Sequence, residues 1–355
     1  MRKGSVPGIV AGLLVLAGCA SIGPNSVRRD RIDYIGAVAD SWKYQTLLNI
    51  VRLRYADAPV FVDVSTLINS YTFQSQLSLG AEFITDTTGS FYKPSASTSY
   101  TDRPTITYTP LTGDKFAKAL LRAIPPPSIF SLLEAGYPAD FVLNATVRAI
   151  NGIYNRSDEG VEVRPADPEF YPLLEAIRRI QRAGALGLRV EKREAEELTV
   201  MSFPGRQTEA LRRDVDYLYR TLRLTPKNGE ITISFGATQR APNDIALLSR
   251  SMSSILVQIA TRIEVPPQDV ADGRTMALPT TDATSSPLDR PLVPIHSSPE
   301  RPADTYAAVQ YRGTWYWVDD HDFAAKRSFT FLMLFFSLAE TGVVSQPPVL
   351  TVPAN

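Results

Sequence analysis

The sequence predicts a mixed α+β fold, and three observations support this prediction. Two long runs, residues 71–83 and 91–108, alternate apolar and polar side chains as β-strands do. After Gly113 the spacing of the apolar residues becomes helical, with short strand patterns between the helices. Residues 305–355 begin with a hairpin pattern and continue into the apolar helix "FTFLMLFF". We therefore expect an N-terminal hairpin, a helix-rich middle with interspersed strands, and a C-terminal hairpin plus buried helix.

Helical spacing locates several of these elements. An amphipathic helix is predicted over residues 37–61, with Arg52 and Arg54 facing solvent. Residues 138–154 and 243–263 each predict one further helix, the second of them long. The apolar C-terminal helix is too short to span a bilayer, so we expect it to be buried in a core.

The first residues have the pattern of an export signal. A basic start precedes an apolar stretch that ends in Leu16-Ala17-Gly18-Cys19. A short apolar segment with small residues at its end is typical of a secretory signal and is too short for a spanning helix. The Leu-Ala-Gly-Cys ending resembles the lipobox of bacterial lipoproteins. This resemblance implies signal cleavage between Gly18 and Cys19, and acylation of Cys19.

The cysteine content agrees with this interpretation. Cys19 is the only cysteine in the chain, so an exported protein of this sequence has no disulfide framework and its one thiol needs another purpose. Ala20 follows it where the enterobacterial sorting rule has Asp for retention in the inner membrane. We therefore expect an outer-membrane lipoprotein that faces the periplasm. Its acyl chains contribute about 0.8 kcal/mol per buried methylene, which makes the lipid anchor effectively permanent.

Composition and patterning divide the chain into five parts. The Pro-, Ser- and Thr-rich part predicts a mobile loop or linker. A C-terminal unit of this size cannot easily form its own core, so it should pack on the main domain. The parts are a signal peptide at 1–18, a lipidated tether at 19–33, a main α+β domain at 34–271 that includes hairpin 60–108, the loop or linker at 272–304, and the C-terminal unit at 305–355.

The N-terminal hairpin has two interpretations. Alternation usually means that one face packs on a protein core, and we favour this interpretation. The alternative is that residues 71–108 enter the outer membrane, because both runs exceed the 9 to 11 residues that a spanning strand needs. Several copies could then pair their hairpins so that no strand edge remains open. Pro94 and Pro104 require an edge or a bulge in the second strand.

One polar cluster could carry chemistry. Three carboxylates beside an imidazole could bind a metal ion or orient the histidine as a base, and two tryptophans on one strand face could form a binding platform. We favour the simpler interpretation, in which Asp320 or Asp322 caps the following helix and the tryptophans belong to the core. The cluster consists of Trp315, Trp317, Asp319, Asp320, His321 and Asp322.

The rest of the sequence lacks familiar catalytic signals. It contains no Gly-x-Ser-x-Gly elbow, no phosphate loop and no His-Glu-x-x-His, and it has only two histidines. The equal numbers of basic and acidic residues, 37 each, argue against a nucleic-acid partner. We therefore expect no enzymatic activity, no cofactor and no metal.

Three stretches together resemble a proteobacterial lipoprotein family without an assigned activity: "LLNIVRLRYADAPVFVDV", "PTITYTPLTGDKF" and "YRGTWYWVDDHDFAAKRSFTFLMLFFSLAE". The resemblance implies a common fold and lipid anchoring and supplies no catalytic residues. We expect a structural, assembly or binding role in the envelope, with an envelope protein or a second copy as partner. The first alternative is a protomer of an oligomeric outer-membrane channel or secretion complex that donates hairpin 71–108. The second is an envelope glycan or lipid hydrolase.

Overall fold

The computed structural model describes residues 24–81, 92–158, 163–193, 196–204, 208–225, 229–279 and 286–340. These residues form a mixed α+β fold, as predicted. They divide into two compact units, which differs from the predicted division of the chain. One unit, here called the body, contains residues 24–59 and 112–340; the other contains residues 60–81 and 92–111. Cys19 and the predicted signal peptide lie outside the described residues.

Helix α1, Pro24–Arg54, begins well before the expected position. Residues 24–33, predicted as tether, are therefore helical, and proline is favourable in the first turn of a helix because its missing N–H has no partner there. Residues 31–41 are exposed apart from a half-buried Tyr34, whereas Leu47, Ile50 and Val51 are fully buried. The helix is thus exposed over most of residues 31–41 and carries buried apolar side chains nearer its end.

The hairpin unit consists of β1, Val62–Ala81, and β2, Tyr92–Pro110, which form an antiparallel pair. This confirms the predicted hairpin. The register pairs Phe73 with Tyr100 and Leu77 with Ala96, so positions from the two apolar runs lie opposite each other. A bulge interrupts the register between Val64 and Thr66. In the described part of the chain, no third strand joins this sheet.

A six-stranded sheet forms the centre of the body. Its strand order is β4-β3-β8-β7-β6-β5, and all neighbours are antiparallel except the parallel pair β7 and β8. The strands are β3 Val147–Ile150, β4 Ile153–Tyr154, β5 Gly187–Arg193, β6 Glu196–Ser202, β7 Glu230–Phe235 and β8 Asp244–Ser249.

Short helices accompany this sheet in the body, and the longer ones bury apolar side chains. Phe170, Leu173 and Leu218, for example, are fully buried. The helices are α2 Gly113–Phe116, which continues as a π-helix over Ala117–Leu121, α3 Pro126–Glu134, α4 Ala139–Thr146, α5 Phe170–Arg182, α6 Glu209–Thr221, α7 Met252–Ala260 and α8 Pro267–Ala271.

Two predicted helices are wrong in part. The helix expected over 138–154 ends at Thr146, and the chain continues as β3 and β4 around a turn at Asn151 and Gly152, which both have positive φ. The long helix expected over 243–263 is strand β8 followed by α7, and the Ser251 side chain caps the first turn of α7. In both places a short buried apolar run was interpreted as helix, because burial hides the strand period.

The C-terminal prediction is confirmed for the described residues. Strands β10, Thr305–Tyr311, and β11, Thr314–Asp319, form the expected hairpin, and α9, Phe323–Glu340, follows it. Phe329 and Phe335 of α9 are buried, although Leu334 is half exposed. Residues 341–355 lie outside the described residues.

The segment 272–304 is not simply a linker, which corrects the prediction. It contains a 3-10 helix at Pro287–Asp289 and strand β9, His296–Ser298, which pairs with β11. Val293 and Ile295 are almost completely buried. Pro, Ser and Thr make the segment polar on average, but these apolar anchors fix its second half to the body.

Candidate functional site

The two predicted platform residues lie on β11. Trp315 and Trp317 are both half-buried and already have neighbours. The ring of Trp317 lies 4.9 Å from that of His296, and the guanidinium of Arg301 lies 5.2 Å from the centre of the Trp315 ring. These contacts support a packing role for the two tryptophans.

The four polar residues after Trp317 make local contacts at the start of α9. Asp322 Oδ1 accepts a hydrogen bond from Ala325 N at 2.9 Å, which is the helix cap expected for this residue. Asp319 Oδ1 accepts from His321 N at 2.8 Å, and this bond holds the pKa of Asp319 below its usual value. Lys326 Nζ lies 2.8 Å from Asp320 Oδ1.

These side chains follow one another in the chain but do not surround a common point. Across the described residues, no group of three His, Cys, Asp or Glu side chains is placed to hold a metal ion. The carboxylates instead accept bonds from the turn and from the helix start. Asp319 Oδ1 also lies 3.3 Å from His321 Nδ1, so this carboxylate contacts both the backbone and the ring of the histidine. The geometry supports the capping interpretation for Asp322.

A different polar cluster, here called the arginine–aspartate cluster, lies buried in the body. It consists of Arg156, Asp158, Arg262 and Asp289, whose side chains are each at most 9% exposed. Arg156 Nε donates to Asp158 Oδ1 at 2.9 Å, and its Nη1 donates to Asp289 Oδ2 at 3.2 Å. Arg262 Nε donates to Asp158 Oδ2 at 2.8 Å, and its Nη2 donates to Asp289 Oδ1 at 3.1 Å. The four side chains form a closed ring of ion pairs.

Neighbouring groups complete the hydrogen bonds of both carboxylates. Gln258 Nε2 donates to Asp158 Oδ2 at 3.1 Å, and the Tyr171 hydroxyl donates to Asp289 Oδ1 at 3.1 Å. Burial, followed by the nearby charge of Asp289, raises the pKa of Tyr171, so its hydroxyl stays protonated. Tyr171 is therefore a fixed hydrogen-bond donor rather than a base.

Arg250 ties the cluster to the chain around it. Its Nη1 donates to the carbonyl of Asn144 at 3.0 Å, and its Nη2 donates to the carbonyl of Arg156 at 2.5 Å. These bonds connect the end of α4, the strand β8 and the segment after β4. The cluster thus joins parts of the chain that lie about 100 residues apart.

A cavity of about 40 Å³ opens beside the cluster. Arg156, Arg262, Asp289 and Tyr171 line it, and the exposed Arg290 lies at its wall. The Nη2 atom of Arg156 is buried and has no hydrogen-bond partner among the described residues. The lining thus combines arginine and tyrosine donors with the carboxylate of Asp289 and with apolar side chains such as Leu288 and Leu292.

A second buried network connects α1 to the C-terminal sheet. The Tyr55 hydroxyl donates to Asp269 Oδ2 at 2.6 Å and lies 2.5 Å from the Tyr316 hydroxyl, with which it shares a hydrogen bond. Burial raises the pKa of both tyrosines. Arg54, expected to face solvent, is instead buried and donates to the carbonyl of Met276 at 2.6 Å. This network holds the end of α1 in place.

Sequence reasoning missed both buried networks. Arg156 and Asp289 lie 133 positions apart, and Tyr55 and Tyr316 lie 261 apart, so no local spacing links them. Comparisons with protein-family models, curated proteins and solved structures found no match for this chain.

Of the helices in the described residues, none is both long enough and apolar enough to cross a membrane.

Proposed function

We propose that this chain is a lipid-anchored lipoprotein of the bacterial outer membrane, facing the periplasm, with an assembly or binding role. The lipobox-like ending at Cys19 supports the anchor. The resemblance to proteobacterial lipoproteins supports the compartment. The observation that carries the assembly role is the long antiparallel pair of β1 and β2 in the hairpin unit.

The exposed stretch of α1 at residues 31–41 suits an anchored protein. The helix begins five residues after Cys19, and residues 24–41 would extend for roughly 27 Å at 1.5 Å per residue. Its second half is fixed in the body by buried apolar residues and by the Tyr55 network. A helix of this kind would hold the body away from the bilayer surface.

The hairpin suits assembly because its strands are long and, among the described residues, no other strand pairs with their outer edges. Strands β1 and β2 have 20 and 19 residues, which corresponds to roughly 65 Å for the longer one. An isolated two-stranded hairpin is marginally stable at best in water, and open edges tend to pair with another chain. In our proposal, copies of this chain or an envelope partner pair with these edges.

A specific observation favours the channel alternative as a second candidate. The register sets the apolar positions of one run against those of the other, Leu79 with Pro94 and Leu67 with Ile106 included. Each strand also exceeds the 9 to 11 residues needed to cross the bilayer core. In this candidate, residues 71–108 of several copies would line up side by side within the outer membrane.

Removal of the hairpin tests the assembly role. The carbonyl of Phe61 accepts from Leu111 N at 2.9 Å, so the ends of the hairpin are adjacent and residues 62–110 can be replaced by a short Gly-Ser linker. We expect the acylated wild type, extracted in mild detergent, to be oligomeric or bound to a partner. The deletion variant should be monomeric, folded and still attached to the membrane. A monomeric wild type without any partner would contradict the proposal.

Two further measurements test the lipid anchor and the channel candidate independently of the assembly role. Cys19→Ser should release the protein from the membrane fraction, and unchanged outer-membrane fractionation would contradict the anchor. For the channel candidate, residues 71–108 should resist added protease in outer-membrane vesicles and become sensitive after detergent treatment. Cleavage within 71–108 in intact vesicles would contradict the channel candidate. The hairpin would then have an assembly role outside the bilayer only.

A further inference from the structure

We propose that the cavity beside the arginine–aspartate cluster binds a small oxyanion group, a carboxylate or a phosphate. This site goes beyond the assembly role and does not depend on it. It is built entirely from residues of the body: Arg156, Arg262, Asp289, Tyr171 and Arg290.

The unsatisfied donor at Arg156 is the first reason. The side chain of Arg156 is only 7% exposed, and its Nε and Nη1 atoms are bonded to Asp158 and Asp289. Arg156 lines the cavity, and its buried Nη2 has no hydrogen-bond partner in the described part of the chain. Buried polar groups are almost always hydrogen-bonded, so this N–H calls for an acceptor in the cavity.

The surrounding carboxylates cannot supply that acceptor. Both oxygens of Asp158 already accept from Arg156, Arg262 and Gln258. Both oxygens of Asp289 accept from Arg156, Arg262 or Tyr171. The cluster thus holds each aspartate in place and leaves the remaining guanidinium donor for a group from outside.

The balance of charge is the second reason. Arg156, Arg262 and Arg290 line the cavity together with Arg250, while Asp158 and Asp289 are the carboxylates of the cluster. The cavity lining and the cluster together therefore contain four arginines and two aspartates. Arg290 is exposed and has no ion-pair partner among the described residues, so it is free to meet an incoming anion. Guanidinium groups favour carboxylate and phosphate because their N–H pairs match two oxygens.

The size of the cavity limits the ligand. A water molecule needs about 10 to 15 Å³ of such volume, so about 40 Å³ accommodates roughly three waters or one small oxyanion group. A sugar ring or a nucleotide base does not fit. A larger molecule could enter only by its carboxylate or phosphate end, with the rest outside near Arg290.

Calorimetric titration of the full-length protein with inorganic phosphate and, separately, with acetate tests the site. We expect one of the two probes to bind saturably with one site per chain, and the stronger probe identifies the oxyanion class. Arg290→Gln should weaken that binding about fivefold or more, because it removes a charge at the cavity. The matched control is Arg182→Gln, which removes an exposed arginine that has no ion pair among the described residues, does not line the cavity and should leave binding unchanged.

Two outcomes would overturn the proposal. The first is the absence of saturable binding of either probe up to about 10 mM. The second is an equal loss of binding in Arg290→Gln and Arg182→Gln, which would indicate unspecific attraction by surface charge. Arg156→Lys keeps the charge but loses the free Nη2 donor, and it should weaken binding about tenfold if it folds. If it does not fold, the pair of exposed variants decides.

Discussion

The body and the hairpin unit differ in how many pairing partners their strands have among the described residues. Each strand in the interior of the six-stranded sheet has neighbours on both sides, and helices cover the sheet with buried side chains such as Phe170 and Leu218. The strands of the hairpin unit are paired only with each other in the described residues. The body therefore contains its own sources of stability, whereas the hairpin is expected to need a partner.

In the proposed function, this difference corresponds to separate tasks for the two units. Fully satisfied buried polar groups, such as the two aspartates of the arginine–aspartate cluster, specify one packed arrangement. Open strand edges do the opposite, because they leave backbone groups available to another chain. A protein with both features can keep a rigid core while its hairpin takes part in assembly.

Amide hydrogen exchange should show the largest contrast. In the Cys19→Ser protein, released from the membrane, we expect the interior strands β7 and β8 to exchange about 10⁴-fold more slowly than unstructured chain. The amides of β1 and β2 should exchange almost as fast as unstructured chain. In the acylated oligomer the hairpin amides should become protected. Strong hairpin protection in the monomer would break the comparison.

Breaking the arginine–aspartate cluster should have the next largest effect. Asp158→Ala leaves Arg156 and Arg262 buried without one of their two carboxylates, and we expect a loss of about 3 to 5 kcal/mol in the free energy of unfolding by urea. Glu209→Ala, which removes the exposed partner of Arg213, serves as the control and should cost less than about 0.5 kcal/mol. Equal losses in the two variants would show that the cluster contributes no more than a surface pair.

Alkaline pH should weaken the body through its tyrosines. The raised pKa values of Tyr55, Tyr171 and Tyr316 mean that the folded state keeps protons which the unfolded chain releases near pH 10. Their stabilisation is complete below pH 10 and is lost as the pH rises above it, at up to about 1.4 kcal/mol per pH unit for each tyrosine.

Tyr55→Phe checks this assignment. It should make the decline of the unfolding free energy above pH 10 less steep, after an initial loss of about 1 to 2 kcal/mol for the bonds to Asp269 and Tyr316. Tyr108→Phe, at an exposed position of the hairpin unit, is the matched control and should leave the pH dependence of body unfolding unchanged. The same slope in both variants would exclude Tyr55 as a source.

The smallest effect should come from the cap of α9. Asp322→Ala removes the acceptor for Ala325 N and should cost about 1 kcal/mol, measured by urea unfolding. Asp322→Asn keeps a capping oxygen and should restore most of it. A full loss of stability in Asp322→Ala would mean that this aspartate has a role beyond capping.

The two hairpins could be predicted from sequence because their strands alternate over many residues. The pairing of 71–81 with 92–102 and the pairing of β10 with β11 both follow from period-two patterns joined by polar turns. The cap at Asp322 also follows from its position just before an apolar helix.

The features that sequence reasoning missed depend on long-range contacts, which no local sequence pattern predicts. Strand β8 is buried along almost its whole length, and its continuous apolar run "IALL" does not distinguish strand from helix. Val293 and Ile295 fix a segment whose composition predicts mobility. Arg156 and Asp158 follow β4, Arg262 follows α7 and Asp289 lies in the 3-10 helix, so only the tertiary fold brings the arginine–aspartate cluster together. In the sequence its residues resemble ordinary surface charges.

If the chain is anchored as proposed, helix α1 would set both the distance of the body from the membrane and its direction. Each residue of a helix adds about 1.5 Å along the axis and about 100° of rotation about it. Deleting two residues between 31 and 41 would therefore bring the body only about 3 Å closer to the membrane but rotate it about the axis to nearly the opposite side. A deletion of seven residues would lower it by about 10 Å and almost preserve its bearing. Comparing the two deletions would show whether a partner of the body depends on its distance from the membrane or on its orientation.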